Sequence, residues 1–270
     1  KNCERHCPTD AIKVTPGVMP GYVPPCGTAC PAGTDVQGYI ALAGAGRYED
    51  AYRLIRQSNP FPSVCGRICN HPCQAACNRN DLDESVGIRD IKRFVADKAF
   101  ENGMPVVEKK RKSNGKKIAV IGAGPSGLSC AYYLQLSGYS VEVFESESVA
   151  GGVLAYGIPE YRLPKAVLNR DIQAIEATGV QIHLNTTVGE DVSFDELYKK
   201  FHAVYVSTGT QLSRKANIPG EDMPGVYHGL DFLKAVNLGK PVEIGKKVAV
   251  IGGGNVAMDV CRTAIRLGAK

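Results

Sequence analysis

The chain has 270 residues, 44% of them hydrophobic and 22% charged, with a formal net charge of +5. This is the balance of an ordinary globular protein of two or three compact domains. It excludes nucleic-acid binding driven by bulk positive charge, and no apolar run approaches the roughly 20 residues that span a membrane. The chain opens inside a motif, KNCERHCPTDAIKV, with no initiator Met and no visible signal peptide. It stops at RLGAK, one helix into a glycine-rich unit, so a fragment of a longer polypeptide is expected.

Eight of the ten cysteines fall within the first 77 residues. Cys3 and Cys7 stand in C-x3-C-P, which resembles the tail of a bacterial ferredoxin motif, whose last Cys ligates the other cluster of a two-cluster domain. Residues 1–20 are therefore expected to be the remnant of a 4Fe-4S ferredoxin-like domain. Cys26 and Cys30 follow in PCGTACPAG. Cys65, Cys69, Cys73 and Cys77 follow in CGRICNHPCQAAC, at a strict spacing of four. A continuous helix would align these four on one face. His71-Pro72 argues against such a helix, because proline removes a donor and clashes with the preceding turn. A loop around a cluster, flanked by short helical turns, fits better. Zinc and buried or redox cysteines are the competing readings. Disulfides compete as well, but nucleotide cradles downstream argue for a reducing, cytoplasmic setting.

Between these cysteine groups, TDVQGYIALAGAGRYEDAYRLIRQSNP carries apolar residues at helical spacing, and Asp35 is placed to cap the first of two helices. Asn59-Pro60 ends the second. A third helix is expected from about Ile88 to Phe100, with Ile88, Ile91, Val95 and Ala99 on one face. Residues 21–112 thus read as a small all-α cysteine-rich domain, closed by the charged run EKKRKSNGKK, a solvated linker.

The next unit, 113–245, opens with KKIAVIG, a near-continuously apolar strand of the kind buried in parallel sheets. It runs into Gly122, Gly124 and Gly127. The first permits a tight turn, the second lets backbone approach a pyrophosphate, and the third lets the helix pack on the strand. Pro125 and Ser126 open that helix, whose amides point at the phosphates. A second strand, SVEVFES, ends at Glu145, where an acid accepts from ribose hydroxyls. Gly151 and Gly152 in AGGVLAYGIPEYRLPK would let a loop lie against a cofactor. A helix after Pro164 closes at Gly179, and QIHLNTTV and AVYVSTG are expected strands, the latter ending at Thr208-Gly209. From Gly245 the opening returns as GKKVAVIGGGNVAM, 130 residues after its first occurrence. Gly252, Gly254, Asn255 and Ala257 form the second cradle, and residues 246–270 begin a second dinucleotide domain. Cys130 and Cys261 sit in the helices behind the cradles as small core residues.

Residues 21–270 resemble the flavoprotein small subunit of glutamate synthase and its relatives, which include the large subunit of NADH-dependent ferredoxin:NADP oxidoreductase and the N-terminal half of dihydropyrimidine dehydrogenase. The stretches that carry the resemblance are CPAGTDVQGYI, NPFPSVCGRICNHPCQAAC, VIGAGPSGLSCAYYL, GGVLAYGIPEYRLPK, STGT and GGGNVAMDVCRTAIRLGA. It implies an α/β flavoprotein with Rossmann-like FAD and NAD(P) domains, the second truncated. It further implies that Gly122, Gly124, Pro125, Ser126, Gly127, Glu145, Gly152, Leu154, Val188, Thr208 and Gly209 serve FAD. Gly252, Gly254, Asn255 and Ala257 would serve NAD(P)H. Two departures bear on the metal. Aligned on Cys26 and Cys30, the family's first two cysteine positions fall on Val18 and Gly21, and its Glu or Gln ligand falls on Lys92, a donor rather than a ligand. One four-cysteine cluster drawn from the six, or none, is the expectation for this domain.

The resulting expectation is an NAD(P)H-dependent oxidoreductase subunit. A hydride passes from NAD(P)H to FAD, and single electrons pass on to iron–sulfur centres of a partner subunit or fused ferredoxin-like domain. The cofactors carry the chemistry, so no catalytic side chain is named. A disulfide reductase is the first alternative, although no C-x2-C lies between 116 and 270. The second is a non-catalytic adaptor that keeps the fold.

Overall fold

The computed structural model of the chain describes residues 23–103, 110–213, 215 and 217–270. The first part is helical: α1 (Pro25–Thr28), α2 (Val36–Gly44), α3 (Tyr48–Arg56), α4 (Pro62–Ile68), α5 (Pro72–Ala75) and α6 (Ile88–Glu101), with a 3₁₀ turn at Asn78–Asp81. The Asp35 side chain accepts from the Gly38 amide at 2.8 Å and caps α2. The four-spaced cysteines do not share one helix. His71 takes a left-handed conformation (φ 44°), and Pro72 starts a new helix as its first residue. Val36, Tyr39, Ala51, Tyr52, Ile55, Ile88, Val95 and Ala99 form the core, with Cys73 among them. α4 and α6 approach backbone to backbone, since a Cβ on Gly66 would lie 2.7 Å from Arg93 Cα. Arg67 Nη2 donates to both carboxylate oxygens of Asp97, at 2.8 and 2.9 Å, and locks the same crossing.

The second part is a four-stranded parallel sheet of order β3-β2-β1-β4, from β1 (Lys117–Ile121), β2 (Ser140–Phe144), β3 (Gln181–His183) and β4 (Ala203–Val206). Its helices are α7 (Pro125–Leu136), α8 (Val153–Tyr156), α9 (Lys165–Glu176) and α10 (Phe194–Lys200). Ile118, Val120 and Val143 face Leu128, Tyr132, Leu168 and Ile175 from the helices and Leu163 from the loop before α9. Phe61 and Val64 join that same core, so α4 is embedded in the sheet domain rather than tethered to it.

The expected strand QIHLNTTV is shorter than its sequence suggests. It pairs only over Gln181–His183, then Asn185 turns left-handed (φ 51°). The amides of Asn185 and Thr186 go instead to the carbonyls of Glu147 and Glu145. Residues 246–251, which differ from the β1 stretch 116–121 at one position, are not in regular strand conformation. A strand is held by its neighbour's ladder, and among the described residues no strand lies alongside. Ile251 is accordingly 83% exposed. Two helices flank these residues, α11 (Gly229–Asn237) before them and α12 (Asn255–Arg266) after them, and they pack on each other through Phe232, Leu233 and Ala264.

Candidate functional site

The first cradle forms where β1 turns into α7. Gly122 takes φ +98°, and a Cβ there would lie 2.4 Å from Ser207 O, so only glycine fits. Gly127 is tighter: its Cβ would meet Gly122 O at 2.0 Å and Ser207 Oγ at 2.6 Å. Ser207 wedges the turn, donating through its hydroxyl to Ile121 O and Gly122 O at 2.9 and 3.2 Å. Gly124 differs, because a Cβ there would meet nothing within 4 Å. It caps α7 in ordinary extended conformation (φ −76°, ψ 179°), so its missing side chain keeps outer space clear rather than relieving an internal clash.

The loop that follows Glu145 closes on this turn. The Gly151 amide donates to Ala123 O at 2.8 Å, and a Cβ on Gly152 would approach Gly124 Cα to 2.9 Å. Leu154 on α8 packs on the main core. Glu145 is buried, and its carboxylate accepts from the Ala123 amide at 2.7 Å and the Glu147 amide at 2.9 Å. The acid thus shapes the glycine turn; a carboxylate has about four lone-pair sites, so capacity for a hydroxyl donor remains. Ser126 Oγ lies 2.9 Å from Tyr205 Oη. Thr208 and Gly209 (φ +67°) follow β4 beside the turn. Val188 faces elsewhere: its side chain packs with Ala119, Phe144 and Leu197.

The second cradle repeats the first in backbone terms. Gly252 takes φ +126°, and Gly254 caps α12 at φ −80°, ψ 178°, within a few degrees of Gly124. Gly253 and Gly254 face open space, while a Cβ on Gly252 would touch the Ala257 methyl at 3.6 Å. Asn255 begins α12.

One contact between these units escapes a sequence reading. Asp259 on α12, 5% exposed, accepts from Tyr161 Oη at 3.1 Å and from the Arg162 guanidinium at 2.6 Å. Arg266 lies over the Tyr161 ring at 4.0 Å. The segment IPEYRLP after the first cradle is thereby latched to the helix of the second. The available signal was an acid in the apolar register of GGGNVAMDV. Asp259→Ala leaves the Tyr161 hydroxyl and the Arg162 guanidinium unpaired and is expected to cost about 1–3 kcal/mol, read as a lowered thermal midpoint. Tyr161→Phe, which removes one bond only, should lower it less.

The six cysteines of the helical part lie on or beside α1, α4, α5 and the 3₁₀ turn, and all eight described cysteines are free thiols. Cys3 and Cys7 lie outside the described residues. Burial raises the Cys65 and Cys73 thiols, against the positive charge of Lys92, which is itself only 6% exposed. Burial also raises Cys26. At Cys30 burial is outweighed by hydrogen bonds from Thr34 and Ala32 and by Lys92, leaving the thiol below its ordinary value. The His71 amide donates to Cys69 Sγ at 3.3 Å, and Cys65 Sγ donates to Asn59 Oδ1 at 3.7 Å. Among the described residues no three metal-ligating side chains already close on one point. The donor chemistry nevertheless suits iron–sulfur: soft thiols, a buried cation to offset their charge, and a backbone N–H aimed at a sulfur. Among the described residues no helix is long and apolar enough to cross a membrane.

A parallel sheet with a glycine turn at the head of α7, and the same turn again at α12, defines a protein with two dinucleotide-type cradles behind a cysteine-rich helical unit. Residues 116–270 match the family described as pyridine nucleotide-disulphide oxidoreductase, and residues 19–104 match dihydropyrimidine dehydrogenase domain II, 4Fe-4S cluster. The chain belongs to the pyridine nucleotide-disulphide oxidoreductase family, and carries the 4Fe-4S type of domain ahead of it. It is 43% identical over 255 residues to the NADPH-Fe(3+) oxidoreductase subunit beta of Geobacter sulfurreducens, covering 92% of this chain and 38% of that protein. It is 44% identical to the NADP(+)-dependent formate dehydrogenase subunit beta of Moorella thermoacetica, covering 93% of this chain and 39% of the other. The glutamate synthase [NADPH] small chain of Escherichia coli is 39% identical, over 92% of this chain and 55% of its own. The resemblance to the glutamate synthase small-subunit flavoproteins is therefore borne out, as is the α/β fold behind an all-α unit. The chain spans about two-fifths to a little over half the length of these relatives.

Proposed function

We propose that this chain is the electron-entry part of an NADPH-dependent flavin and iron–sulfur oxidoreductase. Bound FAD would take a hydride from NADPH and release single electrons to iron–sulfur centres, which is chemistry the cofactors themselves supply. The observation that carries this reading is the open face of Gly124, framed by a turn that admits glycine alone at Gly122 and Gly127. Gly122, Gly124, Pro125, Ser126, Gly127 and the Gly152–Leu154 segment would hold the FAD pyrophosphate at the head of α7. Glu145, Thr208 and Gly209 would border the same cofactor, and Val188 would do so through its main chain only, since its side chain packs with Ala119, Phe144 and Leu197. Gly252, Gly254, Asn255 and Ala257 would take NADPH, and the Asp259 latch would set one cradle against the other. Four of the six thiols Cys26, Cys30, Cys65, Cys69, Cys73 and Cys77 would ligate one 4Fe-4S cluster, with Cys3 and Cys7 in a preceding ferredoxin-like segment. The domains proposed are 21–112 for iron–sulfur, 113–245 for FAD and 246–270 for the start of the NAD(P) unit.

The names of the relatives, a subunit beta or a small chain in each case, support a redox partner subunit or fused domain as acceptor; the nucleotide cradles beside free cysteines support a reducing cytoplasm. The test is anaerobic purification of the full-length protein, its visible spectrum, and assays of bound iron and sulfide. Flavin and iron–sulfur absorption, both bleached by NADPH, is the expected result. A variant with Cys65, Cys69, Cys73 and Cys77 all changed to Ser should lose iron. Flavin without iron would point to a disulfide reductase. Neither chromophore would leave an adaptor.

A further inference from the structure

The helical unit and the sheet domain meet through a fully buried polar contact that cofactor binding does not explain. Asp171, on α9 of the sheet domain, is 0% exposed. Its Oδ2 accepts from the amides of Ser63 and Val64 at 3.0 and 3.1 Å, more than 100 residues away in sequence. Those amides belong to the first turn of α4, the short helix that carries Cys65 and leads to Cys69. Asp171 thus caps the cysteine helix from across the domain boundary. The contact is answered in the opposite direction. Arg56, at the end of α3 and also 0% exposed, donates to Tyr132 Oη at 3.3 Å and to Ala174 O at 3.2 Å, both in the sheet domain. Each domain therefore sends one ionisable side chain to the other's backbone.

Burying two ionisable groups is expensive, and packing alone would have held the domains together more cheaply. Phe61 and Val64 already sit in the shared core. What directional bonds add, and apolar contact does not, is register: the first turn of α4 can sit only where both amides meet one oxygen. Val64 is directly followed by Cys65 and lies in the same core as Leu128 of α7, the helix headed by the first cradle.

We propose that Asp171 and Arg56 form a reciprocal clamp that fixes the cysteine helix against the flavin cradle, making Asp171 a positioning residue for electron transfer from flavin to the cysteine-held centre. The inference rests on the electron-relay reading above. The clamp neither binds nor reacts; it holds the separation and orientation of two sites.

The experiment uses the full-length protein, prepared anaerobically as wild type, Asp171→Ala and Asp171→Asn. Rapid mixing with NADPH follows flavin bleaching. Freeze-quenched electron paramagnetic resonance follows arrival of the electron on iron–sulfur and records the cluster signal. In Asp171→Ala, flavin bleaching should stay within about twofold of wild type, whereas electron arrival slows about tenfold or more and the signal changes shape. Asp171→Asn should restore both, because its amide oxygen accepts from the same two N–H groups. Unchanged electron arrival and signal in Asp171→Ala would overturn the clamp, as would failure of Asn to rescue. If the Ala variant does not fold, Arg56→Lys is read instead. It keeps the charge but cannot span Tyr132 and Ala174, so delayed electron arrival supports the clamp and a wild-type rate overturns it. A wild type that lacks flavin or iron overturns the relay itself, and with it the clamp, and is recognised before any variant is read.

Discussion

Gly124→Ala should leave the unliganded protein as stable as its parent and deprive it of flavin. The added methyl meets no protein atom within 4 Å, and the backbone there is conformation any residue adopts. The only neighbour it can strike is the dinucleotide. An overpacking cost of about 1–3 kcal/mol transferred to the ligand is roughly a 5- to 150-fold loss of affinity. Gly127→Ala should behave in the opposite manner. Its methyl would fall 2.0 Å from a backbone oxygen, so α7 must back away from β1 before any ligand arrives. The expected cost is about 3 kcal/mol or more in the unliganded protein itself. Thermal unfolding of the apoprotein, paired with flavin content per polypeptide, separates the two. If Gly124→Ala retains full flavin, the head of α7 is not the pyrophosphate site and the assignment of the first cradle fails. Gly254→Ala makes the matching test of the second cradle with NADPH, since it too faces open space.

The features legible in sequence were those built from local rules. Glycines at fixed offsets after an apolar run, Asp35 before a helix and the proline after His71 each act within a few residues, and each appears where expected. The features missed depend on partners remote in sequence. β3 breaks off because the Thr186 amide finds Glu145 O, which no pattern in QIHLNTTV announces. Residues 246–251 have the composition of a buried strand, but a strand also needs a neighbour. Asp171 left a trace. In KAVLNRDIQAIE it falls in the same register as Val167, Leu168, Ile172 and Ile175, an acid on an apolar face. Arg56 does the same beside Tyr52 and Ile55. A charge in a hydrophobic stripe signals a buried partner without saying which. The partners, Ser63, Val64, Tyr132 and Ala174, lie 76 to 118 residues away.

Asp171→Asn should make the protein more stable above neutral pH and leave it nearly unchanged in acid. Burial pushes the Asp171 carboxyl from 3.8 to about 7, against the two amide donors and the charge of Arg56. Between those values the folded protein keeps a proton that the unfolded chain has already released. The folded state binds more protons across that window, so stability falls as pH rises through it. The full penalty, ~4 kcal/mol at 1.36 kcal/mol per unit, is reached only above the folded value. Asparagine cannot ionise, so its stability curve should lack that slope while its oxygen still caps α4. Thermal unfolding of both proteins from acid to pH 9 gives the comparison. Curves that converge near pH 4 and separate in favour of Asn above pH 7 would show that the cap is held by a largely neutral carboxyl. The reverse order at pH 8 would show an anion sustained by Arg56, and the domain contact would then owe its strength to that charge pair rather than to the two amide bonds.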